Sequence, residues 1–241
     1  IRDDLVTGVQ TCALPIYDII FLQDEFVPQV LGKWKTMMVL VNLNDSRVLD
    51  HTSKGHIEQN IIQARSEFSR ISYNRFTLEL DGDGDGDIDI FGPVYVDSAA
   101  NTCAINKWWS EAINRVKEKG IDVSQYKERG FVFGREVAQN CGWAGIAHVG
   151  CGSYCNFGIT NYKLTVLVHE IGHNLGLAHA GTDPEDDGIV NGAYGDTSSP
   201  MGNAWVAYDI HFNGPHNANL DWLQLADNQI AKLPENSRAS L

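Results

Sequence analysis

The sequence is poor in positive charge, because 18 lysines and arginines stand against 31 aspartates and glutamates, giving a formal net charge of −13. Such a balance disfavours nucleic acid and anionic membrane surfaces as partners. No apolar run approaches the roughly 20 residues that a membrane-spanning helix needs. We therefore expect an acidic, monomeric protein with no membrane span and no nucleic-acid partner.

Cysteine is also scarce, with five residues in the chain. Cys12 lies in a segment that is set aside below, which leaves Cys103, Cys141, Cys151 and Cys155. Four cysteines allow three pairings, and the pattern favours disulfides of a secreted protein over free thiols or a second metal site. Pairing of Cys141 with Cys151 is disfavoured, because the residues between them are predicted to form an extended strand.

The two ends of the chain are treated apart from the predicted domain. Residues 6–16, VTGVQTCALPI, back-translate to a sequencing-library adapter, so residues 1–16 are expected to be an artefact, and no signal peptide can be sought. Residues 17–36 are left unassigned as a candidate propeptide end. One catalytic domain is predicted over 37–233, and 234–241 are expected to begin a truncated continuation.

Apolar periodicity predicts that strands and helices alternate along this domain. The run MMVLVNL is typical of a strand buried on both faces, whereas apolar residues recurring every three or four positions indicate amphipathic helices. Thr52 or Ser53 can cap the first helix, and Thr160 or Asn161 can cap the third. The predicted elements are strand 37–43, helix 57–71, strand 76–80, helix 104–119, strands 131–133 and 142–149, helix 164–175, and a last helix from Pro215 through Trp222 to Leu225.

Residues 81–89, DGDGDGDID, contain carboxylates at alternate positions followed by a glycine, as in the opening of a calcium-binding loop. A full EF-hand is ruled out, because Gly92 stands where the closing glutamate would be. A partial calcium loop and a solvated acidic turn both remain open. The candidate calcium ligands are Asp81, Asp83, Asp85, Asp87 and Asp89.

The strongest chemical pattern is HEIGHNLGLAH at residues 169–179. On a helix predicted within 162–176, His169 and His173 project from one face and can bind one ion. His179 cannot reach that ion from the same helix, because ten residues span about 15 Å. Gly176 is therefore expected to end the helix in the left-handed conformation and to turn His179 back to the metal.

Glu170 follows the first of these histidines and is placed to take a proton from a water molecule on the ion. Three neutral imidazoles leave the fourth position of a zinc ion open, as in catalytic sites. Five fixed positions recur by chance only about once in three million starting points. The pattern therefore predicts a catalytic zinc site.

Five stretches together resemble the gametolysin family of metzincin zinc metalloendopeptidases. They are VLVNLND, CGWAGIAHVGC, HEIGHNLGLAHA, YGDTSSPMGN and FNGPHNANLDWL, within residues 39–223. The zinc motif and the later methionine resemble metzincins in general, whereas GWAGIA and YGDTSSPMG are specific to this family. The resemblance implies an α/β (α+β) fold with a twisted mixed sheet, an active-site helix and a smaller C-terminal subdomain.

The resemblance also implies a secreted, extracellular zinc endopeptidase that acts on protein or glycoprotein, such as extracellular matrix or cell wall. It assigns zinc binding to His169, His173 and His179, the general base to Glu170 and the Met-turn to Met201. Asn203 stands where some metzincins have a tyrosine that assists the transition state.

A non-catalytic adhesion or binding module is the alternative hypothesis, with structural zinc and a calcium-binding aspartate loop. Structural zinc sites are usually closed by a fourth protein ligand. The sequence offers no obvious fourth ligand, since His148 is not needed, and it keeps a glutamate that a binding module would not require. Peptide-bond hydrolysis is therefore the favoured hypothesis.

Overall fold

The computed structural model describes residues 30–182, 192–203 and 210–223, together with the backbone of residues 9–11. The predicted helix end at Leu225 lies outside these ranges. The strands of this part are β1 Val9–Thr11, β2 Gly32–Asn42, β3 Phe76–Glu79, β4 Ile90–Tyr95, β5 Glu128–Val132, β6 Gly145–His148 and β7 Cys155–Ile159. The helices are α1 Lys54–Ile71, α2 Ile105–Lys117, α3 Arg135–Cys141, α4 Leu164–Asn174 and α5 Gly214–Asn219.

The strands form one mixed sheet in the order β1-β6-β7-β5-β2-β3, and β4 pairs with β2 further along the same edge as β3. Strands β2, β3, β4, β5 and β7 run parallel to one another, whereas β6 is antiparallel to β7 and to β1. The predicted fold class, a mixed α/β protein with a twisted mixed sheet, is confirmed.

Helices cover both faces of this sheet. Met38 and Leu40 of β2 pack in one apolar cluster with α1 and α4, while Met37, Val39 and Val41 pack in a second cluster with α2. The alternation confirms a strand buried on both faces, because successive side chains of a strand point to opposite sides. Each fully buried side chain of this size contributes about 1.5–3 kcal/mol of transfer free energy.

Several predicted boundaries were wrong. Strand β2 begins at Gly32, because its first four residues, GKWK, pair with β3. The two lysines lie outside the continuous apolar run on which the prediction rested. Strand β5 begins at Glu128 and is fully buried. Its start was not predicted, because its first two residues, Glu128 and Arg129, are charged. Helix α3 and strands β4 and β7 were not predicted, since none of them carries a clear apolar period.

The helix caps are also partly corrected. Ser53 caps α1 by accepting a hydrogen bond from the His56 amide at 3.1 Å, as predicted. The cap of α4 is instead Lys163, without a side-chain bond, because the Thr160 hydroxyl donates to the Trp143 carbonyl at 2.9 Å. Helix α5 ends at Asn219, before the predicted end.

Two disulfides join Cys103 to Cys141 and Cys151 to Cys155. The pairing of Cys141 with Cys151, disfavoured from the sequence, does not occur. None of the helices in the described ranges has the length and apolar character to cross a membrane.

Candidate metal centre

The first two histidines of the pattern lie on one face of α4. His169 and His173 are separated by one helical turn, and their Nε2 atoms are 3.1 Å apart. Helical geometry alone explains this approach, since side chains four residues apart are neighbours on a helix surface. The predicted helix therefore brings both imidazoles together.

The third histidine reaches the same point because α4 ends in a tight turn. Gly176 adopts a φ of 99°, its amide bonds the His173 carbonyl at 2.8 Å, and the Leu177 amide bonds the Gly172 carbonyl at 3.0 Å. This pair of bonds is the Schellman motif that glycine permits. The turn places His179 Nε2 at 3.1 Å from His173 Nε2, as the sequence predicted.

Backbone carbonyls fix the orientation of two of these rings. His169 Nδ1 lies 2.6 Å from the Pro200 carbonyl and His173 Nδ1 lies 2.8 Å from the Leu177 carbonyl. A carbonyl oxygen only accepts, so each Nδ1 carries the hydrogen and each Nε2 of a neutral ring presents a lone pair. No ring hydrogen therefore lies between the two facing Nε2 atoms. A cation bound by both lone pairs would stabilise this arrangement.

Burial keeps the three imidazoles neutral. It lowers the pKa of His169 to about 4 and that of His179 to about 4, with further lowering from the neighbouring histidines. The pKa of His173 lies well below its ordinary value for the same first reason. Metal binding requires neutral imidazoles, so at pH 7 no proton has to leave before an ion binds.

The geometry of the triad fits zinc. Two nitrogen ligands at about 2.0–2.1 Å from one tetrahedral zinc ion lie about 3.3 Å apart. The two measured separations of 3.1 Å are close to this value, and the ligand atoms of all three histidines lie within 4.8 Å of one another. His148 is not part of this group.

Glu170 lies beside the triad and is buried, with 1% of its surface exposed. Its carboxylate packs against β6, where a methyl group on Gly145 would overlap it and lie only 2.5 Å from Cδ. The absence of a side chain at Gly145 thus leaves the space that the carboxylate occupies. The sequence pattern identified Glu170 but gave no indication of this role for Gly145.

Met201 packs against the helix that carries two of the histidines. It is fully buried, and its sulfur lies where a methyl group on Gly172, between two of the histidines, would be. The Met201 carbonyl accepts a hydrogen bond from the Ala180 amide at 2.8 Å. The segment that carries His179 is therefore tied to the segment that orients His169 through Pro200.

Two further aromatic residues near the triad were not identified from the sequence. The Tyr194 ring centroid is 4.0 Å from that of His179, and His216 is buried close enough to affect the pKa values of all three histidines. No pattern in the sequence assigned either residue to the metal centre. The only signal was that Tyr194 opens the family-specific stretch YGDTSSPMG.

A buried polar pair anchors the end of α4 to the sheet. Asn174 donates to the Glu128 carboxyl of β5 at 2.6 Å, and both side chains are buried. Burial raises the pKa of Glu128 to about 8, against the lowering effects of the bond from Asn174 and of nearby Lys127. At pH 7 this carboxyl is therefore mainly protonated.

The aspartate loop contains a second group of donor atoms. Carboxylate oxygens of Asp81, Asp83 and Asp85 lie within 4.8 Å of one another, but Asp87 and Asp89 are not in this group. Asp81 accepts bonds from two amides of its own loop at 2.8 Å and 3.2 Å. Asp89 is buried and accepts from the Gly82 amide at 2.5 Å, and burial raises its pKa.

A buried cluster of neutral imidazoles beside a buried carboxylate is typical of metal-dependent hydrolases. The model of the family described as gametolysin peptidase M11 matches residues 52–232, more than half of the chain. The chain belongs to this family. The match confirms the suspected family, which is described as one of peptidases.

Comparisons with individual proteins add little. No curated protein matches the chain, whereas 37 chains of solved structures match. One of them, titled "Structure of a chaperone-substrate complex", is 15% identical with a TM-score of 0.41, covering 76% of this chain and 32% of that chain. At this TM-score the likeness carries no conclusion about fold or function.

Proposed function

We propose that this chain is a secreted zinc endopeptidase that hydrolyses peptide bonds in extracellular proteins or glycoproteins. The observation that carries the proposal is that the Nε2 atoms of His169 and His173 face each other at 3.1 Å, with both rings oriented by backbone carbonyls. Such neutral nitrogen donors suit zinc and leave room for a non-protein ligand. Membership in a peptidase family supports the same assignment.

His169, His173 and His179 would hold the ion. A bound zinc supplies a Lewis acid that polarises a carbonyl and lowers the pKa of water to about 7. Glu170, held by its packing against Gly145, accepts a proton on its carboxylate and passes it to the leaving amine. Burial of this carboxylate strengthens its interaction with the reacting groups, because few water molecules screen it.

The edge of β6 is a suitable site for the substrate backbone. It lies beside Glu170 through Gly145, and Val9–Thr11, from the segment that is expected to be an artefact, pairs with it in antiparallel fashion. We expect a substrate to take the place of Val9–Thr11 in an extended conformation, since main-chain hydrogen bonds bind peptides with little dependence on sequence.

Metal removal and restoration test the proposal. We expect a chelator to abolish digestion of casein and stoichiometric zinc to restore it, with elemental analysis at each step. Proteolysis that persists in metal-free protein would overturn the proposal. Folded, zinc-loaded protein that cuts no protein substrate would favour the non-catalytic binding module.

A further inference from the structure

A polar recess of about 760 Å³ opens on the face of the sheet opposite the metal centre. Gly145 of β6 faces Glu170, so His148, three residues later, points to the other side of the strand. The recess lies between α2 and the sheet, and His148, Asn156 and Arg129 line it. Its volume is within the usual range for a small-molecule site, roughly 300–1,000 Å³.

Arg129 is the unusual residue of this recess. Arg129 is buried, with 8% of its surface exposed. Within the described ranges, no carboxylate forms an ion pair with its guanidinium. Two of its N–H groups donate to the carbonyls of Tyr126 and Val123 at 3.2 Å and 2.9 Å. A guanidinium has five N–H groups, so donors remain for a ligand. A buried cation without a counter-ion is costly, which favours an anionic ligand.

Two neighbouring strands add polar groups beside this cation. Asn156 of β7 is the register partner of Arg129 and is 8% exposed, and no described residue bonds its side-chain oxygen. His148 of β6 accepts the Asn156 amide at Nδ1, at 3.3 Å. Its Nε2 therefore carries the hydrogen in the neutral ring and is a donor. The Asn156 side-chain amide, rotated by 180°, offers N–H in place of oxygen. Arg129, His148 and Asn156 can therefore each present an N–H group to the recess.

The walls of the recess are partly apolar. The Tyr154 ring lies over the Arg129 guanidinium at 3.9 Å from its centroid, and Trp109 and Ile113 of α2 line the opposite side. At the rim, Lys117 and Asp122 carry opposite charges. The buried charge of the recess is therefore that of Arg129 alone.

We propose that this recess is a binding site for a small organic carboxylate whose apolar, ring-sized body rests against Tyr154 and α2. The carboxylate meets the Arg129 guanidinium, which can bind it through two parallel N–H groups. The site is separate from the metal centre, and its occupation does not depend on proteolytic activity.

Calorimetric titration of the zinc-loaded chain with three probes tests the proposal. Phenylacetate carries both the charge and the ring, acetate carries only the charge, and phenylacetamide carries only the ring. We expect phenylacetate to bind at least about 10-fold more tightly than either of the others, since a hydrogen bond to a charged group and apolar burial each contribute about one factor of ten or more. No saturable binding of phenylacetate, or equal binding of the amide, would overturn the proposal.

Variants locate the binding site. We expect Arg129→Gln to weaken phenylacetate binding by about 10- to 100-fold. The control Arg115→Gln, which changes an exposed arginine of α2 paired with Glu118, should leave binding unchanged. Ser110→Trp fills the recess from an exposed position of α2 and should also block binding. If circular dichroism shows that Arg129→Gln is unfolded, Ser110→Trp tests the binding site in its place.

Binding at the metal would give the reverse pattern. A carboxylate held by zinc would be lost in His173→Ala and would persist in Arg129→Gln and Ser110→Trp. That result, or equal weakening in Arg115→Gln and Arg129→Gln, would contradict the proposal. Binding that persists in His173→Ala and is lost in Ser110→Trp would support it.

Discussion

The histidine triad and the aspartate group each bring three donor atoms within 4.8 Å of one another, but they differ in what surrounds those atoms. Two histidines use Nδ1 for a backbone carbonyl, which leaves Nε2 directed at the shared point. The carboxylate oxygens of Asp81 instead accept hydrogen bonds from amides of its own loop. Asp83 and Asp85 are exposed. Proximity of donors is therefore weaker support for a metal site than burial with a fixed orientation.

Removal of one triad histidine is the largest expected effect. We expect His173→Ala to lower zinc affinity by at least about 10³-fold, more than the roughly 10- to 100-fold typical of an outer-shell residue. His56→Ala, an exposed histidine on α1, and Asp83→Ala should both retain zinc. Competition with a chromophoric chelator measures the affinity, and equal zinc binding by His173→Ala would contradict the assigned ligands.

A smaller effect is expected from filling the space beside Glu170. Gly145→Ala should lower kcat by about 10²-fold, because a displacement of about 1 Å in a reacting group can have this effect. Zinc content should not change. Gly55→Ala is the matched control, since a methyl group there meets nothing within 4 Å. Full kcat in Gly145→Ala would show that Glu170 does not need this space.

The buried Glu128 predicts a pH dependence of stability that exposed carboxylates do not share. Its pKa is raised to about 8 in the folded chain from an ordinary 4.5, so the folded state holds the proton more tightly. The stability contribution is present below pH 4.5 and is lost as pH rises through 8, by up to about 1.4 kcal/mol per pH unit.

Urea unfolding at pH 5 and pH 8 measures this dependence. We expect Glu128→Gln, which keeps an acceptor for Asn174 but cannot ionise, to lose it and to be more stable than the wild type at pH 8. The exposed control Asp87→Asn should change the free energy of unfolding by less than about 0.5 kcal/mol. Parallel pH curves for Glu128→Gln and the wild type would contradict the account.

The smallest effect is expected at the aspartate loop. We expect millimolar calcium to leave the melting midpoint within about 2 °C, because weak binding stabilises a fold only slightly. A larger shift that disappears in Asp83→Ala would instead support the partial calcium loop.

The sequence predicted the triad well because helical spacing and one glycine turn determine its geometry. The end of the helix required a residue in the left-handed conformation, and Gly176 adopts it. The turn then placed His179 without contacts from distant elements. The family resemblance was equally strong, since its motifs lie in contiguous stretches. Local geometry of this kind can be read from a single chain.

Long-range contacts could not be predicted in this way. The role of Gly145 depends on the register of β6 beside α4, and that of Glu128 on a contact with a helix 46 residues away. Strand β7 was missed because its residues, CNFGI, are all buried without alternating. The grouping of Arg129 with Asn156 and His148 likewise depends on sheet order, which periodicity does not determine.

Proteolysis and zinc content of Glu170→Gln, measured on the same preparation, test the central claim most directly. Glutamine keeps the shape of the side chain but cannot accept a proton, so we expect kcat to fall by about 10²- to 10⁴-fold. Zinc content should remain at the wild-type level, because Glu170 is not among the three ligands. Wild-type kcat in a zinc-loaded, folded Glu170→Gln variant would contradict the assignment of Glu170 as the general base.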